Sequence, residues 1–237
     1  MNQGPRAGQI VAVFGLSADP PTGEGGHAGI VRWCASELTV PARRGEPDSG
    51  LRRVDEVWVL PVYRHIFRAK TGMTAYEHRL AMARLAFTDL EGARVPVRVL
   101  ETERELQQAA AQASRPPPTT RIGTYDVMRR LMRDSPSTRF VLVLGADTYA
   151  DLRAGKWAHS IELQDLVEVV ALPRVGLPFA GTVPTPPNLD PVSSSLARSS
   201  TDLAYLRRAL QPQVLDYILE HRLYTVGQRV APARGEA

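Results

Sequence analysis

Residues 9–38, QIVAVFGLSADPPTGEGGHAGIVRWCASEL, decide the fold class. The run from Ile10 to Phe14 is short, wholly apolar and closed by Gly15, the pattern of a buried strand entering a tight turn. A loop rich in Gly and Pro occupies 15–26. Ile30, Cys34 and Leu38 then fall at i, i+4 and i+8, the stripe of a helix. Buried strand, glycine-rich loop and helix, in that order, form the opening unit of an α/β fold.

The same alternation continues along the chain. Residues 39–53 carry Pro, Gly and several charges and predict an exposed insertion, and VDEVWVLPV (54–62) predicts a second buried strand. A helix is expected over about 75–87, with Leu80, Met82, Ala83, Leu85 and Ala86 as its apolar face. VPVRVL (95–100) alternates as a third strand, and ETERELQQAAAQA is rich in good helix formers until the prolines at 116–118 break it. TYDVMRRLMRDS predicts a helix with Thr124 as N-cap. RFVLVLGAD (139–147) and LVEVVALPR (166–174) predict the last two strands, and two helices are expected from near Ser195 and near Pro212.

This order predicts an α/β, Rossmann-like parallel sheet of about five to six strands with helices on both faces. One domain over 1–224 is expected, with a small helical part at 193–224 and a loose tail at 225–237. Ligands of such sheets bind beyond the carboxyl ends of the strands, at the switch in strand order. That directs attention to loops 15–26, 61–70, 145–157 and 192–198.

Composition narrows the class. Of 237 residues, 43% are hydrophobic and 23% charged, as in an ordinary soluble globular protein. No stretch approaches the roughly 20 apolar residues of a membrane span, and the N-terminus does not read as a signal peptide. The single cysteine, Cys34, cannot form an internal disulfide, so the cytoplasm is the expected compartment. The formal charge of +4 suits either nucleic acid or a polyphosphate site. No dense Lys/Arg run with interleaved aromatics occurs, which argues against nucleic acid.

Four segments carry chemistry. Gly15, Leu16 and Ser17 open a loop whose backbone N–H groups suit a phosphate, and Thr22 and His27 close it at a helix start. VSSSLAR (192–198) offers Ser194 and Ser195 at another helix start with Arg198 one turn in, which also suits a polyphosphate. Gly145 and Asp147 form a turn after a buried strand that can set a carboxylate against ribose hydroxyls, and Trp157 could stack on a flat ring. The loop PVYRHIFRAK (61–70) gathers Arg64, His65, Arg68 and Lys70. Each segment also has a plainer reading: a ligand-free surface loop, a serine-rich cap with a solvated Arg, an Asp that caps the next helix, a core Trp, a solvated charged loop.

Taken together, the segments resemble the nicotinate-nucleotide adenylyltransferases. Gly15-Leu16-Ser17-Ala18-Asp19-Pro20 looks like the family's Gly-Gly-Thr-Phe-Asp-Pro, and Thr22 with His27 like its His/Thr-x-Gly-His element. His27 stands eight residues after Asp19, where the family has six, so the loop must bulge if His27 is to be presented. Residues 192–198 resemble Ile-Ser-Ser-Thr-x-x-Arg, and Leu144–Asp147 with Trp157 resemble the family's Gly-x-Asp and later Trp. Arg174 matches its Arg-x-Gly, residues 76–82 its Arg-x-x-Met helix, and LQPQVLDYILEHRLY (210–224) its closing segment.

The resemblance implies transfer of the adenylyl group of ATP to nicotinate mononucleotide, with Mg²⁺ accompanying ATP and no nucleic-acid or membrane partner. It implies catalytic roles for His27, Arg198 and Lys70. ATP contacts fall on Gly15, Leu16, Ser17, Thr22, His27, Gly145, Asp147, Ser194, Ser195 and Arg198. Mononucleotide contacts fall on Ser17, His65, Lys70, Thr124, Trp157 and Arg174. The alternatives are a sibling transferase acting on nicotinamide mononucleotide or another phosphorylated acceptor, a nucleotide-binding regulator without catalysis, and a nucleic-acid binder.

Overall fold

The structure, a computed structural model, describes residues 8–43, 50–64, 72–113, 122–173, 181–182 and 186–230. In chain order the elements are β1 (Ile10–Leu16), α1 (His27–Ser36), β2 (Thr39–Pro41), β3 (Leu51–Arg53), β4 (Glu56–Pro61), α2 (Tyr76–Phe87), β5 (Val97–Val99), α3 (Thr102–Ala113) and α4 (Thr124–Asp134). They continue with β6 (Arg139–Gly145), α5 (Ala146–Arg153), α6 (Ser160–Leu166), β7 (Glu168–Leu172), α7 (Ser194–Ser199), α8 (Leu203–Ala209), α9 (Pro212–Glu220) and α10 (Tyr224–Val230).

Five strands form one parallel sheet in the order β5-β4-β1-β6-β7. The expected α/β architecture is present. Strand periodicity explains its two faces. Ile10, Ala12, Phe14 and Leu16 of β1 point to one core, shared with Ala28, Val31 and Cys34 of α1 and Met82, Ala83 and Phe87 of α2. Val11 and Val13 point to the other, shared with Val127, Met128 and Leu131 of α4, Leu152 of α5 and Leu163 of α6. A central strand covered on both faces must be apolar throughout, which is why β1, β4 and β6 read as unbroken runs rather than alternating ones. The chain places β4 and β5 on one side of β1, then returns to place β6 and β7 on the other. The switch in strand order therefore lies between β1 and β6, where a crevice opens beyond their carboxyl ends.

Several local expectations need correction. The stretch expected as an exposed insertion contains a two-stranded antiparallel ribbon, β2 with β3, in which Val40 is buried. The expected stripe is buried at Cys34 and Leu38 and is widened by Val31 and Ala35, while Ile30 packs against the core at its edge and also lines the crevice. Leu85 is one of the exposed apolar residues of α2, not part of its buried face. The N-cap of α4 is Gly123, whose N–H donates to Asp126 Oδ2 at 2.9 Å, so Thr124 is the first helical residue.

The loose tail expected from 225 is overturned over its first part. Residues 224–230 form α10, Val226 is fully buried, and Val226 joins Ala197, Leu206, Val214 and Ile218 in the core shared with β1 and α1. A seven-residue helix with few apolar positions leaves no periodicity to read; packing rather than propensity fixes it.

Candidate active site

The first loop is built around a reciprocal pair. His27 N–H donates to Thr22 Oγ1 at 2.9 Å, and Thr22 N–H donates to His27 Nδ1 at 3.0 Å. A backbone N–H can only donate, so Nδ1 is the acceptor and the ring proton resides on Nε2. The Thr22 hydroxyl also lies 3.0 Å from Nδ1. The five-residue separation that departs from the expected spacing is absorbed by a turn in which Gly26 N–H donates to Gly23 O at 2.9 Å. The extra residues bulge outward, and Thr22 and His27 meet as direct partners.

Glycine is required at position 26 for close approach. A Cβ there would lie 2.2 Å from Thr22 Oγ1 and 2.9 Å from Val192 Cγ2. Gly26→Ala must therefore push the Thr22 hydroxyl off His27. We expect it to lower kcat/KM for the reaction proposed below by about tenfold or more, the order of one lost hydrogen bond at a positioned group. Gly15→Ala meets nothing within 4 Å and serves as the control for a glycine change that does not touch the pair; its melting temperature and its Thr22–His27 geometry should match the parent.

The C-terminal helices brace this loop from behind. Ser194 Oγ donates to Pro20 O at 2.8 Å, Gly23 N–H donates to Ala209 O at 2.8 Å, and the Tyr224 hydroxyl donates to Asp19 Oδ1 at 2.8 Å. Arg198 donates through Nη1 to Asp19 O and through Nη2 to Ser195 Oγ at 3.0 Å, with Asp19 Oδ2 3.9 Å away. Burial pushes the Tyr224 phenol well above its ordinary pKa, so it is a fixed donor at neutral pH.

A cleft of about 740 Å³ lies beyond the ends of β1 and β6. Gly15, Leu16, Ser17, Thr22 and His27 line one side, Gly145 and Asp147 another, and Ser194 and Ser195 a third, with Thr124 and Trp157 completing it. Residues from positions 15 to 195 thus meet in one place. Arg198 is not among the lining residues; it is held on the Asp19 carbonyl and the Ser195 hydroxyl, so its charge stands one residue back from the cleft. His65, Lys70 and Arg174 lie outside the described residues. Asp147 is not the cap of α5, which is Gly145; it sits in the first turn. Trp157 is half-buried, its backbone N–H donating to Ser160 Oγ at 3.2 Å, and the residue both packs on the core and lines the cleft.

The chain is 35% identical over 172 residues to a probable nicotinate-nucleotide adenylyltransferase of Anaeromyxobacter dehalogenans (strain 2CP-C), covering 72% of this chain and 81% of that one. The chain belongs to the nicotinate-nucleotide adenylyltransferase family. A further relative of the same name, from Myxococcus xanthus (strain DK1622), is 31% identical, with 72% of this chain and 80% of the relative covered. The cytidylyltransferase-like family model matches residues 48–200, leaving β1 and the Thr22–His27 loop outside the match. Among solved structures, the Plasmodium falciparum nicotinic acid mononucleotide adenylyltransferase complexed with NaAD shares the fold at a TM-score of 0.66, with 18% identity and coverage of 91% of this chain and 97% of that one.

Two further groups shape the cleft, Arg79, the arginine of the Arg-x-x-Met helix, and Glu103, which no motif marks. The Arg79 guanidinium is almost completely buried and donates to four carbonyls: Thr74 O at 2.9 Å, Ser17 O at 2.7 Å, Val62 O at 2.6 Å and Tyr63 O at 3.1 Å. Burial pulls its pKa down, and the nearby Asp19 carboxylate opposes the shift. The sequence hint is a lone cation on the buried face of α2, beside Tyr76, Met82 and Ala83.

Glu103 of α3 also lines the cleft and accepts from Arg64 N–H at 3.0 Å. Burial pushes its carboxyl up to about 7, against the lowering effect of the backbone donors of Arg64 and Tyr63. The folded state therefore holds this proton more tightly than the unfolded chain. Glu103 stabilises the fold fully below about 4.5, the value for the unfolded chain, and that contribution is lost as pH rises through 7. Relative to Glu103→Gln, the melting temperature of the parent protein should fall between pH 5 and pH 8. A constant difference across that range would contradict the assignment.

Proposed function

We propose that the protein transfers the adenylyl group of ATP to the 5′-phosphate of nicotinate mononucleotide, giving nicotinate adenine dinucleotide and pyrophosphate. The observation that carries this reading is the Thr22–His27 pair, closed across the lengthened loop and opening onto the same cleft as Ser194, Ser195, Asp147 and Trp157.

In the proposed step an acceptor phosphate oxygen forms a bond to the α-phosphorus of ATP. The bond from that phosphorus to the bridging α–β oxygen breaks, and its electron pair leaves with pyrophosphate. A phosphate needs no protein nucleophile, so the enzyme supplies position and charge neutralisation. His27 would donate from Nε2 to an α-phosphate oxygen, as a preorganised donor does for developing charge. The Ser195 hydroxyl, which accepts from Arg198 and keeps its proton to give, would hold a phosphate oxygen; Ser194, whose hydroxyl proton lies on Pro20 O, would contribute its backbone N–H, with Arg198 adding its field from behind. Asp147 would accept from ribose hydroxyls.

Trp157 would stack on the pyridine ring. Thr124 would meet the nicotinate carboxylate at the positive end of the eleven-residue α4. Lys70, His65 and Arg174 would add cationic and polar contacts to the mononucleotide. Mg²⁺ would enter with ATP and screen the phosphates. Such an ion would be carried by phosphate and water oxygens and need few protein ligands.

The reading takes the chain as one transferase domain acting in the cytoplasm. The shared core of sheet and C-terminal helices supports the first, and the second rests on a sequence with a single cysteine, Cys34. No described helix is long and apolar enough to cross a membrane. The test is pyrophosphate release from ATP with nicotinate mononucleotide, nicotinamide mononucleotide and phosphopantetheine supplied in turn. A higher kcat/KM for the nicotinate substrate is expected; the opposite order, or ATP binding without turnover of any acceptor, would replace the reading.

A further inference from the structure

Between α5 and α6 the chain passes through residues 154–159, and Trp157 in this stretch lines the cleft. One hydroxyl holds both backbone groups of Trp157: Ser160 Oγ accepts from its N–H at 3.2 Å and donates to its carbonyl at 2.6 Å. Ser160 is buried, and its own carbonyl accepts from Gln164 Nε2 at 2.8 Å. His159, between the two, stands at φ 58° and ψ 37°, the left-handed region that a residue other than glycine seldom occupies. Its imidazole stacks on the Tyr125 ring, with centroids 4.7 Å apart and planes 25° from parallel, and its Nδ1 lies 3.3 Å from Glu162 Oε1. Tyr125 is in the first turn of α4 and follows Thr124 directly, and Thr124 lines the cleft as Trp157 does.

An exposed histidine gains nothing of its own from a strained backbone, and such a conformation persists only where the surroundings over-determine it. Here the strained residue ties two separate walls of the cleft together: the turn that carries Trp157 and the start of the helix that carries Thr124. The serine hydroxyl fixes the Trp157 backbone, and the stacked rings fix how far that turn stands from α4. We infer that Ser160, His159 and Tyr125 are positioning residues that hold Trp157 and Thr124 as the two sides of one slot, and that the slot takes the flat ring of the acceptor. The inference rests on the adenylyl-transfer reading for the identity of that ring. None of the three is among the residues that line the cleft, so each acts through a neighbour that does.

The test uses Ser160→Ala, His159→Gly, His159→Phe, Tyr125→Leu and the Tyr125→Leu/His159→Gly double variant of the full chain. Each is measured for kcat, for KM of both substrates and for direct binding of nicotinate mononucleotide by calorimetry. His159→Gly suits the left-handed backbone and deletes only the ring, so its melting temperature should stay near the parent's. Its mononucleotide KM and Kd should nevertheless rise about fivefold to tenfold, while the KM for ATP stays within about twofold. Turnover at saturating mononucleotide should stay within about threefold of the parent, because ground-state binding is what the slot supplies. Ser160→Ala should act in the same direction. His159→Phe, which keeps a ring for Tyr125, should recover most of the loss. The double variant should be no worse than Tyr125→Leu alone, because one stack is lost in both.

Parental mononucleotide binding in His159→Gly would overturn the inference, as would losses that fall equally on ATP, losses that multiply in the double variant, or a His159→Phe protein no better than His159→Gly. If the variants sort mononucleotide binding as described but the parent protein forms no dinucleotide, the transfer reading fails and the inference stands. If dinucleotide forms and His159→Gly binds the mononucleotide as the parent does, the reverse holds. If the parent neither binds nor consumes the mononucleotide, both fall. A poorly folded Ser160→Ala or Tyr125→Leu leaves the two single His159 variants, at an exposed position, to decide.

Discussion

His27→Ala is expected to lower kcat by about a hundred- to a thousandfold, the effect of deleting one preorganised donor at a developing charge. The melting temperature should fall by only a few degrees. The bond from the His27 backbone N–H to Thr22 Oγ1 survives the substitution, while the buried Thr22 N–H loses Nδ1 as its acceptor. KM for either substrate should move little, because the donor is worth most when charge builds on the α-phosphate. Thr22→Val removes the oxygen that receives the His27 N–H and lies against Nδ1, while Thr22 N–H remains to set the tautomer. Its loss should be smaller, on the order of tenfold. Single-turnover rates on both variants check the order; a His27→Ala enzyme with the parental rate would remove His27 from the chemistry.

The largest expected effect on stability belongs to Arg79. Its guanidinium joins Ser17 after β1, Val62 and Tyr63 after β4, and Thr74 before α2. Arg79→Met fills a similar volume but leaves four carbonyls without this donor, and breaking a buried charged network typically costs about 3–5 kcal/mol. For a chain of this size that corresponds to a fall in melting temperature on the order of 10 °C. Arg79→Lys should recover only part, because one ammonium cannot span carbonyls on three segments as a planar fork does. Urea titration gives the free energies. A melting temperature within about 2 °C of the parent would show that the loops hold without this residue.

The parts of the fold that were legible in the sequence are those whose burial is symmetric. β1, β4 and β6 are covered on both faces, so their apolar runs are unbroken and bounded by turns. The Ser194–Ser195 and Gly145–Asp147 turns were legible because small and polar residues follow directly on apolar ones. What escaped was short or set by distant contacts. α5, α6 and α8 span only seven or eight residues, too few for a period to emerge. α10 owes its place to Val226 in the core and to the Tyr224–Asp19 bond across the whole chain. Thr124 looked like a cap because threonine favours that position, yet Asp126 reaches back to Gly123 instead.

The site divides in the same way. Local spacing located Thr22 and His27 but could not say whether the lengthened loop would let them meet; a turn from Gly23 to Gly26 does. Arg198 bonds the Asp19 carbonyl, 179 residues away, a contact that spacing within 192–198 does not show. Glu103 sits on a helix between motifs, where nothing in the local sequence marks it out. Its place at the cleft depends on α3 passing beside the turn at Arg64, a contact across 39 positions.

The most direct measurement follows labelled oxygen. Nicotinate mononucleotide carrying ¹⁸O in its 5′-phosphate is incubated with ATP, Mg²⁺ and the protein, and the products are read by ³¹P NMR and mass spectrometry. Attack of the acceptor phosphate on the α-phosphorus predicts a dinucleotide that retains all the label, one labelled oxygen bridging the two phosphorus atoms, beside an equal amount of unlabelled pyrophosphate. Label in the pyrophosphate, or ATP cleavage without dinucleotide, would contradict it.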